Sequence, residues 1–169
     1  MKRLFLTALL AIATASGNAA AHEPVSELAN AVSPEQGVIA AGRIGPGEIQ
    51  LVRDAGIRHV IDLTPDAETP DFDEAAAVRA AGLRYSNLPL AGAPDLTREN
   101  VLAFDTLLAE AERPVLVHCA SGNRVGAMAA LRAAWVEGRS AEEAIAIGRE
   151  WGLAGLEEEV RRRIEAVGR

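Results

Sequence analysis

The stretch VHCASGNRVGAM, residues 117–128, holds the chain's single cysteine. Cys119 ends a short aliphatic run, four residues follow (Ala120, Ser121, Gly122 and Asn123), and Arg124 opens an alanine-rich segment of helical composition. A turn between a strand and a helix can aim several backbone N–H groups at one point, and a glycine there permits the torsions this needs. The start of the helix adds the positive end of its dipole. Arginine adds a planar, two-pronged donor suited to oxyanions. A thiol at the floor of such a loop sits where both the helix end and the guanidinium favour the nucleophilic thiolate. The pattern points to covalent chemistry on an anionic group. A lone cysteine at a strand end is also a common small buried hydrophobe, so the inference rests on its neighbours.

The surrounding sequence supplies elements able to hold that loop. Residues 37–42 (GVIAAG), 59–64 (HVIDLT), 83–90 (LRYSNLPL) and 114–119 (PVLVHC) read as strands. Residues 46–56, 71–82 and 97–112 read as helices between them. This β-α-β-α order predicts an α/β fold with a mainly parallel sheet flanked by helices. In such sheets ligands sit beyond the carboxyl ends of the strands, which is where Cys119 falls.

The C-terminal third is helical throughout. Residues 124–138 form an apolar helix ending at Gly138, and Ser140 with Glu143 has the spacing of a capping box for the next helix. In the last helix, Glu157, Glu158 and Glu159 each stand four residues before Arg161, Arg162 and Arg163, which predicts a self-paired, solvated face. Residues 22–36, with Pro24 and Pro34, read as a loose N-terminal arm, and residues 37–169 as a single domain.

Residues 1–21 have the form of a secretory signal: Lys2 and Arg3, a short apolar core, and Ala19, Ala20 and Ala21 before His22. The apolar run is too short to span a bilayer. The expectation is a periplasmic or secreted protein with no stable membrane insertion after signal cleavage. Removal of the segment takes the formal charge from −7 to −9, with 24 acidic residues against 15 arginines and no lysine. So acidic a body repels phosphate backbones, which excludes nucleic acid as a partner. Any anion must be held by a local device, and the expected partner is a small anionic or phosphorylated substrate. A single cysteine excludes an intrachain disulfide framework. The chemistry of the loop requires no metal and no organic cofactor.

The loop VHCASGNRVGAM resembles the signature of cysteine-dependent phosphatases, in which His and Cys precede a glycine-containing turn closed by Arg. More closely, residues from about 36 to 150 resemble the beta-lactamase hydrolase-like, phosphatase-like family. The resemblance implies a cysteine-phosphatase-like fold, Cys119 as nucleophile, Arg124 as the oxyanion clamp, residues 120–123 as the phosphate-binding loop, and His118 as a residue orienting that loop. Such enzymes also carry an aspartate on an upstream loop that protonates the leaving oxygen. Asp95, in PLAGAPDLT, matches that position, and equally reads as a turn residue before a Thr97 helix cap. Asp66 and Glu68 are weaker alternatives.

Two features differ from tyrosine and dual-specificity phosphatases. Those enzymes place five residues between Cys and Arg, where this chain has four, the usual spacing of rhodanese-like sulfurtransferases. They also place Ser or Thr after the arginine, where this chain has Val125. Three functions are therefore open: a phosphatase-like hydrolase, a sulfurtransferase carrying a Cys119 persulfide, and a module that binds an anion without turning it over.

Overall fold

The computed structural model describes residues 24–167. The signal-like segment and His22 lie outside them. Five strands form one sheet: β1 (Val32–Glu35), β2 (Val38–Ala41), β3 (His59–Asp62), β4 (Arg84–Asn87) and β5 (Val115–His118), in the order β1-β2-β5-β3-β4. All neighbouring pairs are parallel except β1 with β2. The mainly parallel α/β sheet expected from the sequence is therefore what forms.

The three inner strands β2, β5 and β3 are buried at every position. Side chains alternate across a strand, so Val38, Ala40, Ile61, Val115 and Val117 enter one core while Ile39, Ala41, Val60 and Leu116 enter the other. The first core is covered by α3 (Arg98–Ala109), α4 (Asn123–Trp135), α5 (Ala141–Glu150) and α6 (Glu157–Val167). The second is covered by α1 (Ile49–Asp54), α2 (Glu74–Ala80) and the turn around Val25 and Leu28. A continuous apolar strand needs cover on both faces, and the β-α alternation provides it.

The N-terminal lead-in is more ordered than a loose arm. Val25 and Leu28 are buried, and residues 32–35 form an antiparallel edge strand on β2. Pro34 obscures this strand in the sequence because proline cannot donate to a ladder. An edge position tolerates that loss. The expected capping box is present, with Ser140 Oγ accepting from Glu143 N and Glu143 Oε2 accepting from Ser140 N.

Helix α4 is the axis of the helical layer and starts at the loop that follows β5. Gly126 lets it approach the segment after α5 so closely that a Cβ there would lie 2.0 Å from Leu153 N. Among the described residues no helix is long and apolar enough to cross a membrane.

Candidate active site

The loop between β5 and α4 is held from outside by its carbonyls. Arg43 N donates to Ala120 O (3.2 Å), and Asn30 Nδ2 donates to Ser121 O (3.2 Å). The C=O and N–H of one trans peptide point in opposite directions. Outward carbonyls at 120 and 121 therefore turn the N–H groups of Ser121 and Gly122 inward. Gly122 N does donate to Cys119 Sγ, at 3.2 Å. Gly122 has φ of +87°, the left-handed conformation that glycine adopts without steric cost.

The remaining N–H groups of the loop, those of Ala120, Ser121, Asn123, Arg124 and Val125, have no acceptor among the described residues. Three of them belong to the first turn of α4, whose donors cannot be satisfied within the helix. Together with the helix dipole they form a cradle for an anion. Cys119 lies at its floor, 1% exposed.

Arg124 completes the cradle through its donor count. A guanidinium has five N–H donors. Nη1 donates to Glu68 Oε1 (2.8 Å) and to Leu90 O, and Nη2 donates to Glu68 Oε2 (2.7 Å). Those bonds occupy the end-on fork and the outer Nη1 hydrogen. The Nε hydrogen and one Nη2 hydrogen remain, and they form the side-on fork, a parallel pair suited to two oxygens of one oxyanion. The Glu68 bond raises the Arg124 pKa, with burial opposing it and the nearby Cys119 adding to it. In return, the Arg124 hydrogen bonds hold the Glu68 carboxyl below its ordinary range. Arg43 supports Glu68 from the other side, with Nη2 3.3 Å from Oε2 and Nη1 donating to Glu68 O (3.1 Å).

Asp95 reaches the same cluster through a single peptide group. The carbonyl of the Leu90–Ala91 peptide accepts from Arg124, and its N–H donates to Asp95 Oδ2 (2.7 Å). Asp95 Oδ1 has no partner among the described residues. The residue ends a short 3-10 turn, Ala93–Asp95, and Thr97 caps α3 by accepting from Asn100 N. Asp95 is thus both the turn residue and a carboxylate one peptide away from the clamp.

Residues 29–136 match the family described as beta-lactamase hydrolase-like protein, phosphatase-like domain. The chain belongs to this family. A beta-lactamase hydrolase-like protein from Xylella fastidiosa is 38% identical over 103 residues, which are 58% of this chain and 23% of the relative. One from Agrobacterium fabrum is 38% identical over 73 residues, 41% of this chain and 17% of the relative. The chain therefore aligns with less than a quarter of the length of either. Among solved structures, a candidate phosphatase from Neisseria meningitidis has a TM-score of 0.66 at 24% identity, covering 80% of this chain and 96% of that one. TpbA from P. aeruginosa in complex with pTyr has a TM-score of 0.57 at 23% identity, covering 82% and 86%. The fold is that of the cysteine phosphatases.

Within the phosphatase-like domain, Asn123 of the loop and His118 at the end of β5 present their side chains away from the cradle. Asn123 Oδ1 accepts from Ala154 N (2.9 Å) and Leu156 N (3.3 Å), so only its backbone N–H faces a ligand. His118 Nε2 lies 2.7 Å from Glu74 Oε1 and 3.7 Å from Asp62 Oδ1, on the far side of β5 from the first core. His118 thus orients the strand end and does not touch the cradle. Asp62, Glu74 and His118 offer ligand atoms within 4.8 Å of one another, a spacing that could hold a cation. Asp62 is already saturated, however: Thr64 N and Oγ1 donate to Oδ1 (2.7 and 2.5 Å) and Tyr85 OH donates to Oδ2 (2.9 Å). Burial and then the Asp62 charge push the Tyr85 pKa upward, which keeps its hydroxyl a donor. The cluster is a hydrogen-bonded support for the strand ends.

Asp66 lines a cavity of about 350 Å³ beside this support, with Thr69, Phe72 and Asp73. Glu68, which the sequence offers only as an alternative acid, is the partner of Arg124. Glu74 and Asn30 gave no local signal at all. Their roles arise from contacts across more than 40 positions of sequence.

Proposed function

We propose that the protein is an exported, cysteine-dependent phosphatase acting on a phosphate monoester. The observation that carries this reading is the set of donors around one thiol: five backbone N–H groups without an acceptor among the described residues and the side-on fork of Arg124. In the first step Cys119 Sγ attacks phosphorus, an S–P bond forms, the P–O ester bond breaks, and Asp95 gives its proton to the departing oxygen. The loop N–H groups and Arg124 take the charge on the three non-bridging oxygens. In the second step water attacks phosphorus and gives a proton to the Asp95 carboxylate, the S–P bond breaks, and the thiolate is regenerated with the Gly122 N–H donating to it. Family membership and the phosphorylated ligands of the structural neighbours TpbA (pTyr) and PTPMT1 (PI(5)P) agree with a phosphorylated substrate. Export rests on residues 1–21. N-terminal sequencing of the protein from its native cell should begin near His22, and an intact Met1 on all of it would exclude export.

The four-residue spacing and Val125 favour a second reading, transfer of a sulfane sulfur through a Cys119 persulfide. One experiment separates the readings: turnover of an aryl phosphate, and of thiosulfate with a thiol acceptor, by wild type and Cys119→Ser. Cysteine-dependent release of phosphate supports the hydrolase. Cysteine-dependent release of sulfite alone supports the transferase, and neither activity leaves an anion-binding module.

A further inference from the structure

Helix α6 lies beyond residue 136, where the family match ends, yet it reaches into the proposed site. Arg163 Nη1 donates to Leu96 O (2.7 Å) and Nη2 donates to Ala93 O (2.9 Å). These two carbonyls bracket the 3-10 turn that ends at Asp95. The guanidinium is itself held, with Nε donating to Glu159 Oε1 at 2.5 Å. From the other side, Asn100 Nδ2 donates to Asp95 O (2.7 Å). The self-paired face expected of this helix is therefore incomplete. Glu157 pairs with Arg161 and Glu159 with Arg163, but Arg162 also turns to Glu159, and Arg163 spends its two terminal nitrogens on the loop.

We infer that Arg163 is a positioning residue for the general acid, an inference that rests on the phosphatase reading. A turn of this kind exposes carbonyls that water would otherwise compete for. Two charge-assisted bonds from one planar group fix both of its ends at once. That fixes Asp95 against the Ala91 N–H, on the peptide whose carbonyl accepts from Arg124. Among the described residues Arg163 makes no hydrogen bond to Cys119 or to the loop that follows it. Its loss should therefore affect protonation of the leaving group and leave anion binding alone.

The test uses the full chain with Arg163→Met, which keeps an apolar stem and removes the donors, and Arg163→Lys, which restores charge but not the fork. Asp95→Asn and wild type are run in parallel. Turnover is measured with phenyl phosphate, whose leaving group needs a proton, and with 2,4-dinitrophenyl phosphate, whose leaving group does not. Backbone amide exchange is followed over residues 91–97. Arg163→Met should lose about tenfold in kcat on phenyl phosphate, a fraction of the general-acid contribution. It should stay within about twofold on the dinitrophenyl ester with KM unchanged, and exchange in 91–97 should accelerate. Lysine should recover part of the loss. Unchanged exchange, or equal slowing of both esters, overturns the inference. If Asp95→Asn slows phenyl phosphate and Arg163→Met does not, the inference fails and the phosphatase reading stands. If wild type hydrolyses neither ester, both fail.

Discussion

Replacing Arg124 with lysine tests the donor count on which the cradle depends. Three of the five guanidinium hydrogens are committed to Glu68 and Leu90 O, which leaves two for a substrate. A lysine ammonium has three hydrogens on one nitrogen and no plane. If it satisfies the buried Leu90 carbonyl and the Glu68 carboxylate, which is 28% exposed, little remains for an oxyanion. If it turns to the oxyanion, those acceptors lose their partner. Two charge-assisted hydrogen bonds to the transition state contribute about 1.5–3 kcal/mol each, so their loss removes about 3–6 kcal/mol. At 1.36 kcal/mol per tenfold, Arg124→Lys should lose about 10²–10⁴-fold in kcat/KM on an aryl phosphate. Steady-state hydrolysis at constant ionic strength measures this, with thermal unfolding as the control, since Arg43 still pairs with Glu68 and the fold should persist. A loss below about fivefold in a folded variant would mean that Arg124 only closes the loop, and the donor count would be wrong.

Glu68→Gln offers one acceptor where the carboxylate offers two and aims an amide donor at Arg124, so turnover should fall about tenfold. The same variant has a signature in pH. Because the folded state depresses the Glu68 pKa, its stabilisation is fully present above the unfolded carboxyl value of about 4.3 and is lost as pH falls through the folded value. The gap in melting temperature between wild type and variant should therefore be widest near neutral pH and narrow below about pH 4. An equal gap at both ends would contradict the ion pair. A small reagent should alkylate Cys119, and phosphate or sulfate should slow it by filling the cradle. Alkylation indifferent to either anion would remove the anion site.

How much of this was legible in the sequence follows from how local each feature is. Cys119, Gly122 and Arg124 are close neighbours, so type and spacing alone identify the loop. The inner strands were equally plain, because VIAA, HVID and VLVH are short aliphatic runs between turn residues. The edge strand at 32–35 was hidden by Pro34 and Glu35, which local propensity disfavours and which only an edge accepts. Asn30 sits in the same segment, so one support of the loop lies where the sequence shows only a lead-in. Glu68 does carry a positional signal, since a charged residue just past a parallel strand lies on the ligand-binding edge. Nothing local could have assigned Asn123 to the 154–156 backbone or Arg163 to the 93–96 turn. Both depend on how α4, α5 and α6 pack.

Val125 decides how the proposed cycle is paced. The resemblance places a Ser or Thr hydroxyl after the arginine to assist the thiolate as it leaves phosphorus. Here the side chain at that position is apolar and fully buried, and, with the Arg124 guanidinium beside the thiol, the backbone hydrogen bond to Cys119 Sγ comes from Gly122 N. That donor is also the weaker kind, a backbone N–H at 3.2 Å. One hydrogen bond of about 0.5–1.5 kcal/mol absent from the second step slows it by up to about tenfold and leaves the first step unchanged. Rapid mixing with an aryl phosphate should then give a burst of phenol close to the enzyme concentration, followed by slower steady release. Val125→Thr should shrink the burst and raise the steady rate, at a stability cost of about 1–3 kcal/mol for a hydroxyl set among apolar neighbours. If wild type shows no burst and the threonine variant no gain, breakdown of the phosphocysteine is not limiting, and the Gly122 N–H suffices without a hydroxyl beside it.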